Sequence, residues 1–274
     1  MLLSRYHSIL SAFLTVQLGL FLAVNILIFH ETGWSAEASH PQENIDLSHW
    51  KLTLPICALG LPDSSPLEIP AAQLATGYTN APCFTTDSLG EIIFWCPVNG
   101  ITTKGSEYPR TELREVINPA NDNVCWGAAG THILDVRCRV SQVPSSQKVI
   151  IGQIHSYSGK AKPLIKLQFF KNRIEALVKE SPTKGKDIKF TFPEVGFDKD
   201  FDYQIKLQDG LLSVTVNGTT QAINIFNRAP EWANQTFYFK AGAYAQDNEG
   251  SASEGACVVI SRLKTSHQKR PSPP

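Results

Sequence analysis

The chain alternates short apolar runs with turn residues, and no long helical period interrupts them. Runs at 50–54, 91–95, 133–140, 148–154, 164–170 and 173–178 carry alternating or β-branched apolar residues. A period of two sends successive side chains to opposite faces, the pattern of a half-buried strand. Two further runs, 203–207 and 211–216, flank Asp209-Gly210, and Asn217-Gly218 follows them. These dipeptides favour two-residue hairpins, because both central positions take positive φ at little cost. Only 70–74 reads as a short helix. Many strands at regular spacing over about 235 residues are expected to close into a sandwich or a barrel.

Hydrophobic residues make up 42% of the 274 and charged residues 18%, which fits a packed core and excludes a disordered chain. The formal net charge is zero. No global field is available to steer a polyanion, so such a ligand would need a local basic cluster. No nucleic-acid partner is expected.

The first residues have the layout of an export signal. Arg5 precedes an apolar run over 9–29, and the small-residue site Ala36-Glu37-Ala38 follows. Cleavage after Ala38 is expected, with an uncleaved membrane anchor as the alternative. Ser11, Thr15, Gln17 and Asn25 weaken the spanning reading. Either way the body faces an export compartment: secreted or extracellular, with periplasmic or membrane-anchored placement as variants. Residues 39–266 read as one domain and 267–274 as a flexible tail; polar and proline-rich sequence begins at Thr265. A monomer is expected.

Six cysteines occur: Cys57, Cys83, Cys96, Cys125, Cys138 and Cys257. None forms a C-x-x-C pair, which argues against zinc and thioredoxin-like chemistry. An even count in an exported chain points to disulfide bonds. Cys83 with Cys96 and Cys125 with Cys138 are the local candidates; buried thiols are the other reading. Asn217-Gly218-Thr219 and Asn234-Gln235-Thr236 are glycosylation sequons, relevant only in a eukaryotic host.

Three segments carry chemistry. In Arg110-Thr111-Glu112-Leu113-Arg114 a strand places Arg110, Glu112 and Arg114 on one face. Such a charged row is either a solvated face with cross-strand ion pairs or a groove floor that grips carboxylates with guanidinium forks. In Gln153-Ile154-His155 the amide and the imidazole share a face and Ile154 points to the core. A lone histidine is more often structural; an amide donor beside it favours function. In the segment 238–246, Tyr238, Lys240, Gly242, Tyr244 and Gln246 face one way, and Gly242 leaves room for close approach. Side by side, these strands would form a cationic groove with proton-transfer groups.

Together with Asp46-Leu47-Ser48-His49-Trp50-Lys51-Leu52-Thr53-Leu54-Pro55, these segments resemble the signatures of polysaccharide lyase family 7, the alginate lyases. The strand Leu164-Ile165-Lys166-Leu167-Gln168-Phe169 is similar too, and the resemblance runs from Asp46 to Ser266. It implies an all-β jelly-roll sandwich of two antiparallel sheets with a concave substrate groove. It places the catalytic set on Arg110, Gln153, His155 and Tyr244. It makes Glu112, Arg114, Lys166, Lys240 and Gln246 substrate-binding or groove-shaping residues. Ala243 and Ala245 depart from the larger residues often found there, on what reads as the packing face.

The implied substrate is alginate, an anionic chain of mannuronate and guluronate. The implied reaction removes the C5 proton and expels the C4 oxygen, which demands fixed donors for a developing dianion. Arg110 and Gln153 suit that role. The resemblance makes tyrosine the acid, and also the base for mannuronate; histidine would be the base for guluronate. A phenol with a reference pKa of about 10 is a poor base unless nearby cations favour its ionised form. The isoleucine between Gln153 and His155 goes with guluronate-containing blocks in this family.

The scheme needs no metal and no cofactor. No H-E-x-x-H pair and no G-x-S-x-G elbow is present. The rival readings are a lyase for another polyuronate such as glucuronan, a non-catalytic carbohydrate-binding jelly roll, and a glycoside hydrolase. The last needs two carboxylates across the scissile bond, whereas Glu112 and Glu115 fall on opposite strand faces.

Overall fold

A computed structural model describes residues 45–58, 65–157, 159 and 161–270. The leader or anchor expected over 1–38 lies outside them. The chain first forms β1 (Trp50–Cys57), β2 (Pro66–Ile69), one helical turn α1 (Ala71–Leu74), β3 (Phe84–Thr86), β4 (Ile92–Pro97) and β5 (Arg110–Glu115). Next come β6 (Trp126–Gly127), β7 (Thr131–Gln142), β8 (Lys148–Ser156), β9 (Ile165–Phe170), β10 (Arg173–Lys179) and β11 (Asp187–Glu194). The last strands are β12 (Phe201–Gln208), β13 (Leu211–Val216), β14 (Thr219–Asn224), β15 (Thr236–Ala245) and β16 (Gly255–Gln268).

They build two antiparallel sheets, the jelly-roll sandwich that the resemblance implied. One runs β11-β10-β9-β8-β15-β5-β1-β2, with β6 also paired to β15. The other runs β14-β13-β12-β7-β16-β4-β3. Alternation decides what each sheet buries. The first contributes Leu52, Leu54, Leu113, Ile154, Leu167 and Phe239 to the core; the second contributes Phe94, Leu134, Val136, Ile205, Val214 and Val258. Thr111 is a polar residue on the core face, and its hydroxyl donates to the Trp95 carbonyl on the opposing sheet at 2.6 Å. The bond keeps a buried hydroxyl satisfied and ties β5 to β4.

Both hairpin signals close as expected. Asp209-Gly210 and Asn217-Gly218 have positive φ at both positions and join β12 to β13 and β13 to β14. The longest strand, β16, is harder to read from sequence. Its run Cys257-Val258-Val259-Ile260 does not alternate, because the register against β7 shifts twice, between Cys257 and Val258 and between Ile260 and Arg262. A bulge resets which face each residue takes, and periodicity fails there.

Two expectations are corrected. The strand β16 continues through Gln268, so residues 265–268 are ordered strand and not a frayed tail. His267 lies within it and bonds the buried carboxylate of Glu115 at 2.7 Å. The expected disulfides are not formed: all six cysteines are free thiols. The pair Cys125–Cys138 fails on topology. Cys138 points into the core from β7, while Cys125 precedes β6 beside the Arg114 guanidinium.

Candidate active site

The outer face of the first sheet carries the site. Strand β15 is flanked by β5 and β8, with β1 and β9 one strand further out on either side. Register then aligns one row: Lys51 opposite Arg114, Arg114 opposite Lys240, Lys240 opposite Gln153, and Gln153 opposite Lys166. Four cations and one amide thus cross five strands side by side. Beside this row, Arg110 faces Tyr244 and His155 faces Tyr238. This is the local basic cluster that a chain of zero net charge requires to hold a polyanion.

Like charges placed directly opposite destabilise a sheet, and Glu112 offsets them from below. Its side chain is 1% exposed. One carboxylate oxygen accepts from Arg110 Nη1 at 3.0 Å and from the Lys240 ammonium; the other accepts from Gln153 Nε2 at 2.5 Å. Burial pushes this carboxyl up, but the charges of Lys240 and Arg110 outweigh it and hold Glu112 below the usual carboxylate range. Burial and the Arg110 charge push Lys240 down to about 8, against the pull of Glu112. Glu112 therefore does not touch the groove as a ligand would. It fixes three of the groove's side chains, and it leaves Gln153 a second amide N–H to offer.

Backbone irregularities make this possible. Gly242 has φ +136°, and a Cβ there would sit 2.6 Å from the Thr111 carbonyl and 3.0 Å from the Glu112 Cα. Only glycine lets β15 lie this close to β5 opposite Glu112. On β8, Ile151 is the extra residue against β9, and its carbonyl accepts from the core hydroxyl of Tyr203 at 2.9 Å. Gly152 follows; a Cβ there would meet that hydroxyl at 2.7 Å. The bulge sets the faces for what comes next, so Gln153 and His155 both point into the groove.

The His155 ring has a defined tautomer. Its Nδ1 lies 2.7 Å from the Ser156 carbonyl, which can only accept, so Nδ1 carries the proton. The Tyr238 hydroxyl is 3.1 Å from the same nitrogen and the two rings stack at 5.2 Å. Burial, helped by the Lys240 charge, pushes His155 down to about 4. The imidazole is then neutral at pH 7 and its Nε2 lone pair is free to take a proton. Arg114 lies over the Tyr238 ring at 4.2 Å, and burial pushes that phenol up to about 12.

Arg110 lies over Tyr244, 3.8 Å from the ring centre. The Ser106 hydroxyl joins the two: it is 2.9 Å from Arg110 Nη2 and 3.0 Å from the Tyr244 hydroxyl.

The groove encloses about 670 Å³. Arg110, Gln153, His155 and Tyr244 all line it, as do Arg114, Lys166 and Lys240. Gln246 does not; its amide turns back to the Tyr244 and Ala245 carbonyls. Residues not singled out from sequence also line it: Ser106, Tyr157, Lys162 and Lys51. Lys51 could have been found, since it lies in the first family motif. Ser106 and Lys162 sit in loops where no periodicity points. Glu115, the other carboxylate of β5, lies on the core side and accepts from Trp126 Nε1 at 2.9 Å. Glu112 and Glu115 therefore cannot act as a glycosidase pair.

Comparisons agree with this geometry. The family model described as alginate lyase matches residues 45–267. Alginate lyase A1-II', a member of polysaccharide lyase family 7, is 38% identical with a TM-score of 0.76, over 84% of this chain and 99% of that one. A variant of the same enzyme was solved in complex with a substrate written GGMG. An alginate lyase of Pseudomonas aeruginosa is 39% identical with a TM-score of 0.73, over 81% of this chain and all of that one. An alginate lyase of Klebsiella pneumoniae is 25% identical over 286 residues, 83% of this chain and 91% of that one. By motif, by fold and by these likenesses, the chain belongs to polysaccharide lyase family 7 and is an alginate lyase.

Proposed function

We propose that this lyase cleaves alginate by β-elimination, leaves an unsaturated uronate at each new non-reducing end, and acts on guluronate-containing blocks. One observation carries the reading: a neutral imidazole and a phenol share a groove with a row of fixed cations and one amide. Arg110 and Gln153 are the donors for the substrate carboxylate. As C5 loses its proton, negative charge builds on that carboxylate, and preorganised donors stabilise it more in the transition state than in the bound substrate. His155 Nε2 takes the C5 proton of guluronate. Tyr244 protonates O4 as the C4–O4 bond breaks. On mannuronate, whose C5 proton lies on the other side, Tyr244 does both. Arg114, Lys166 and Lys240 bind neighbouring uronates of the chain.

Support for guluronate comes from Ile154, from the neutral His155, and from the substrate GGMG of the similar enzyme, with G read as guluronate. Export to the cell exterior rests on the leader-like residues 1–38.

The test uses the purified protein on alginate, guluronate-rich blocks and mannuronate-rich blocks. Near-ultraviolet absorbance reports the unsaturated ends. The expected result is a rise that is faster on guluronate-rich blocks and is abolished in Tyr244→Phe; His155→Ala is expected to lose guluronate activity first. Products lacking the unsaturated chromophore would overturn elimination. Faster cleavage of another polyuronate would overturn the substrate.

A further inference from the structure

Tyr244 needs a partner that tolerates both of its protonation states. Under the reading above it gives a proton to O4 and, on mannuronate, also takes one from C5. Its hydroxyl has one near polar neighbour described, the Ser106 hydroxyl at 3.0 Å. The Ser106 oxygen also receives Arg110 Nη2 at 2.9 Å and lies 3.1 Å from the Tyr108 carbonyl. The carbonyl can only accept, so the serine proton points at Tyr108. Arg110 can only donate. The serine oxygen therefore accepts from the guanidinium and has its second lone pair for the Tyr244 O–H. In the resting groove the phenol proton is aimed at Ser106.

We propose that Ser106 is a positioning residue for Tyr244, accepting from the phenol at rest and donating to the phenolate that forms during turnover. The inference rests on the catalytic role proposed for Tyr244. When Tyr244 gives its proton to O4, the C4–O4 bond breaks and O4–H forms, and a phenolate remains. The Ser106 hydroxyl rotates from the Tyr108 carbonyl to that phenolate, and its own O–H bond never breaks. Arg110 stays bonded to the serine oxygen, so the group that grips the substrate carboxylate and the group that moves the proton share one anchor. On mannuronate the phenol first releases its proton to solvent; the phenolate takes the C5 proton while the serine turns back to Tyr108, and that proton then passes to O4 as the C4–O4 bond breaks, so the turnover ends on the phenolate that began it. Atoms and charge balance without a further reactant.

A hydroxyl is the one small side chain suited to this. It offers a donor and two lone pairs on one atom and reorients by rotation about a single bond. Alanine would leave Arg110 Nη2 and the phenol without their shared partner. Threonine would keep it.

The test compares Ser106→Ala, Ser106→Thr and Tyr244→Phe in the full chain on mannuronate-rich and guluronate-rich blocks. Ser106→Ala is expected to lower kcat on mannuronate-rich blocks by about 10- to 100-fold, the scale of a lost hydrogen bond to a charged group, with KM changed by about twofold or less. Guluronate-rich blocks, where His155 is the base, lose less. Ser106→Thr restores kcat to within about threefold, because the hydroxyl returns. Unchanged kcat in Ser106→Ala beside an inactive Tyr244→Phe overturns this inference alone. An active Tyr244→Phe overturns the role of Tyr244 itself. A loss that threonine does not rescue, or one that appears in KM, assigns Ser106 to loop packing and also overturns the inference. If the alanine variant does not fold, Ser106→Cys replaces it, since a thiol keeps the volume and is a poor partner to both groups.

Discussion

Glu112→Gln removes one charge from beneath the groove and changes almost no volume. The carboxylate now serves Arg110, Gln153 and Lys240 with no water between them. Losing one partner of a buried ion pair typically costs about 3–5 kcal/mol, because the other charge stays buried and unpaired. Here the stranded lysine has an escape. Lys240 already sits near 8, against an ordinary value of 10.5. Without Glu112 it falls further, so the variant can shed that proton at a pH where the native protein keeps it. The sign follows from linkage. A lysine with a depressed folded pKa makes stability rise with pH between its folded and unfolded values. For the native protein that window opens near 8; for the variant it opens lower.

The difference between the two should be about 3–5 kcal/mol at pH 6. It should shrink by about 1.4 kcal/mol per pH unit once the variant lysine titrates, and then level off above pH 8, where both curves rise in parallel. Urea denaturation at pH 6, 7, 8 and 9, read by tryptophan fluorescence, measures it. Activity should fall about 100-fold or more at pH 7, since Arg110 and Gln153 lose their common anchor and small misplacements of positioning groups are costly. A variant as stable as the native protein at pH 6, or a gap that widens toward pH 9, would refute the role given to Glu112.

Three further outcomes are expected. Cleavage of guluronate-rich blocks should hold its rate down to about pH 5 and fall as His155 protonates near 4, because burial keeps the imidazole neutral; a kcat/KM profile with its acid limb at 6.5 instead would show that the ring is not desolvated. Gly152→Ala should destabilise by about 1–3 kcal/mol, the cost of shifting a buried hydroxyl off its acceptor, and should cut kcat as well, since Gln153 and His155 follow the bulge; a Tyr203→Phe companion measures the hydroxyl's own share. His267→Ala should cost about 1–3 kcal/mol by leaving the Glu115 carboxylate short of a donor, while a frayed tail would tolerate the change freely; thermal melts decide between them.

Much of the site was legible because local alternation survives in the strands that carry it. Arg110, Glu112 and Arg114 share a face as their spacing implies, with Thr111 and Leu113 in the core. Gln153 and His155 do the same around Ile154. Yet spacing alone left the charged row of β5 undecided between a solvated face and a groove floor. What settled it was family resemblance first and strand pairing second. The role of Glu112 was left open between binding substrate and shaping the groove: a carboxylate that binds substrate and one that lies beneath three other side chains occupy the same strand position. Ser106 was not legible, since a loop serine gains meaning only when a residue from β15 comes within 3.0 Å of it.

The sequence by itself determined the alternating strands β1, β4, β5, β7 to β10, β12, β13 and β15 with their core faces, the hairpins at Asp209-Gly210 and Asn217-Gly218, and the family, because each depends on neighbours a few residues apart. Only the tertiary structure decided that β5 and β8 meet on either side of β15, which aligns Lys51, Arg114, Lys240, Gln153 and Lys166 into one row. It also decided which thiols lie apart and that His267 closes on Glu115. Those contacts join distant parts of the chain. They form when two sheets close over a common core, and the burial that drives closure is non-directional: it states which faces must meet, while backbone pairing and bulges choose the register in which they do.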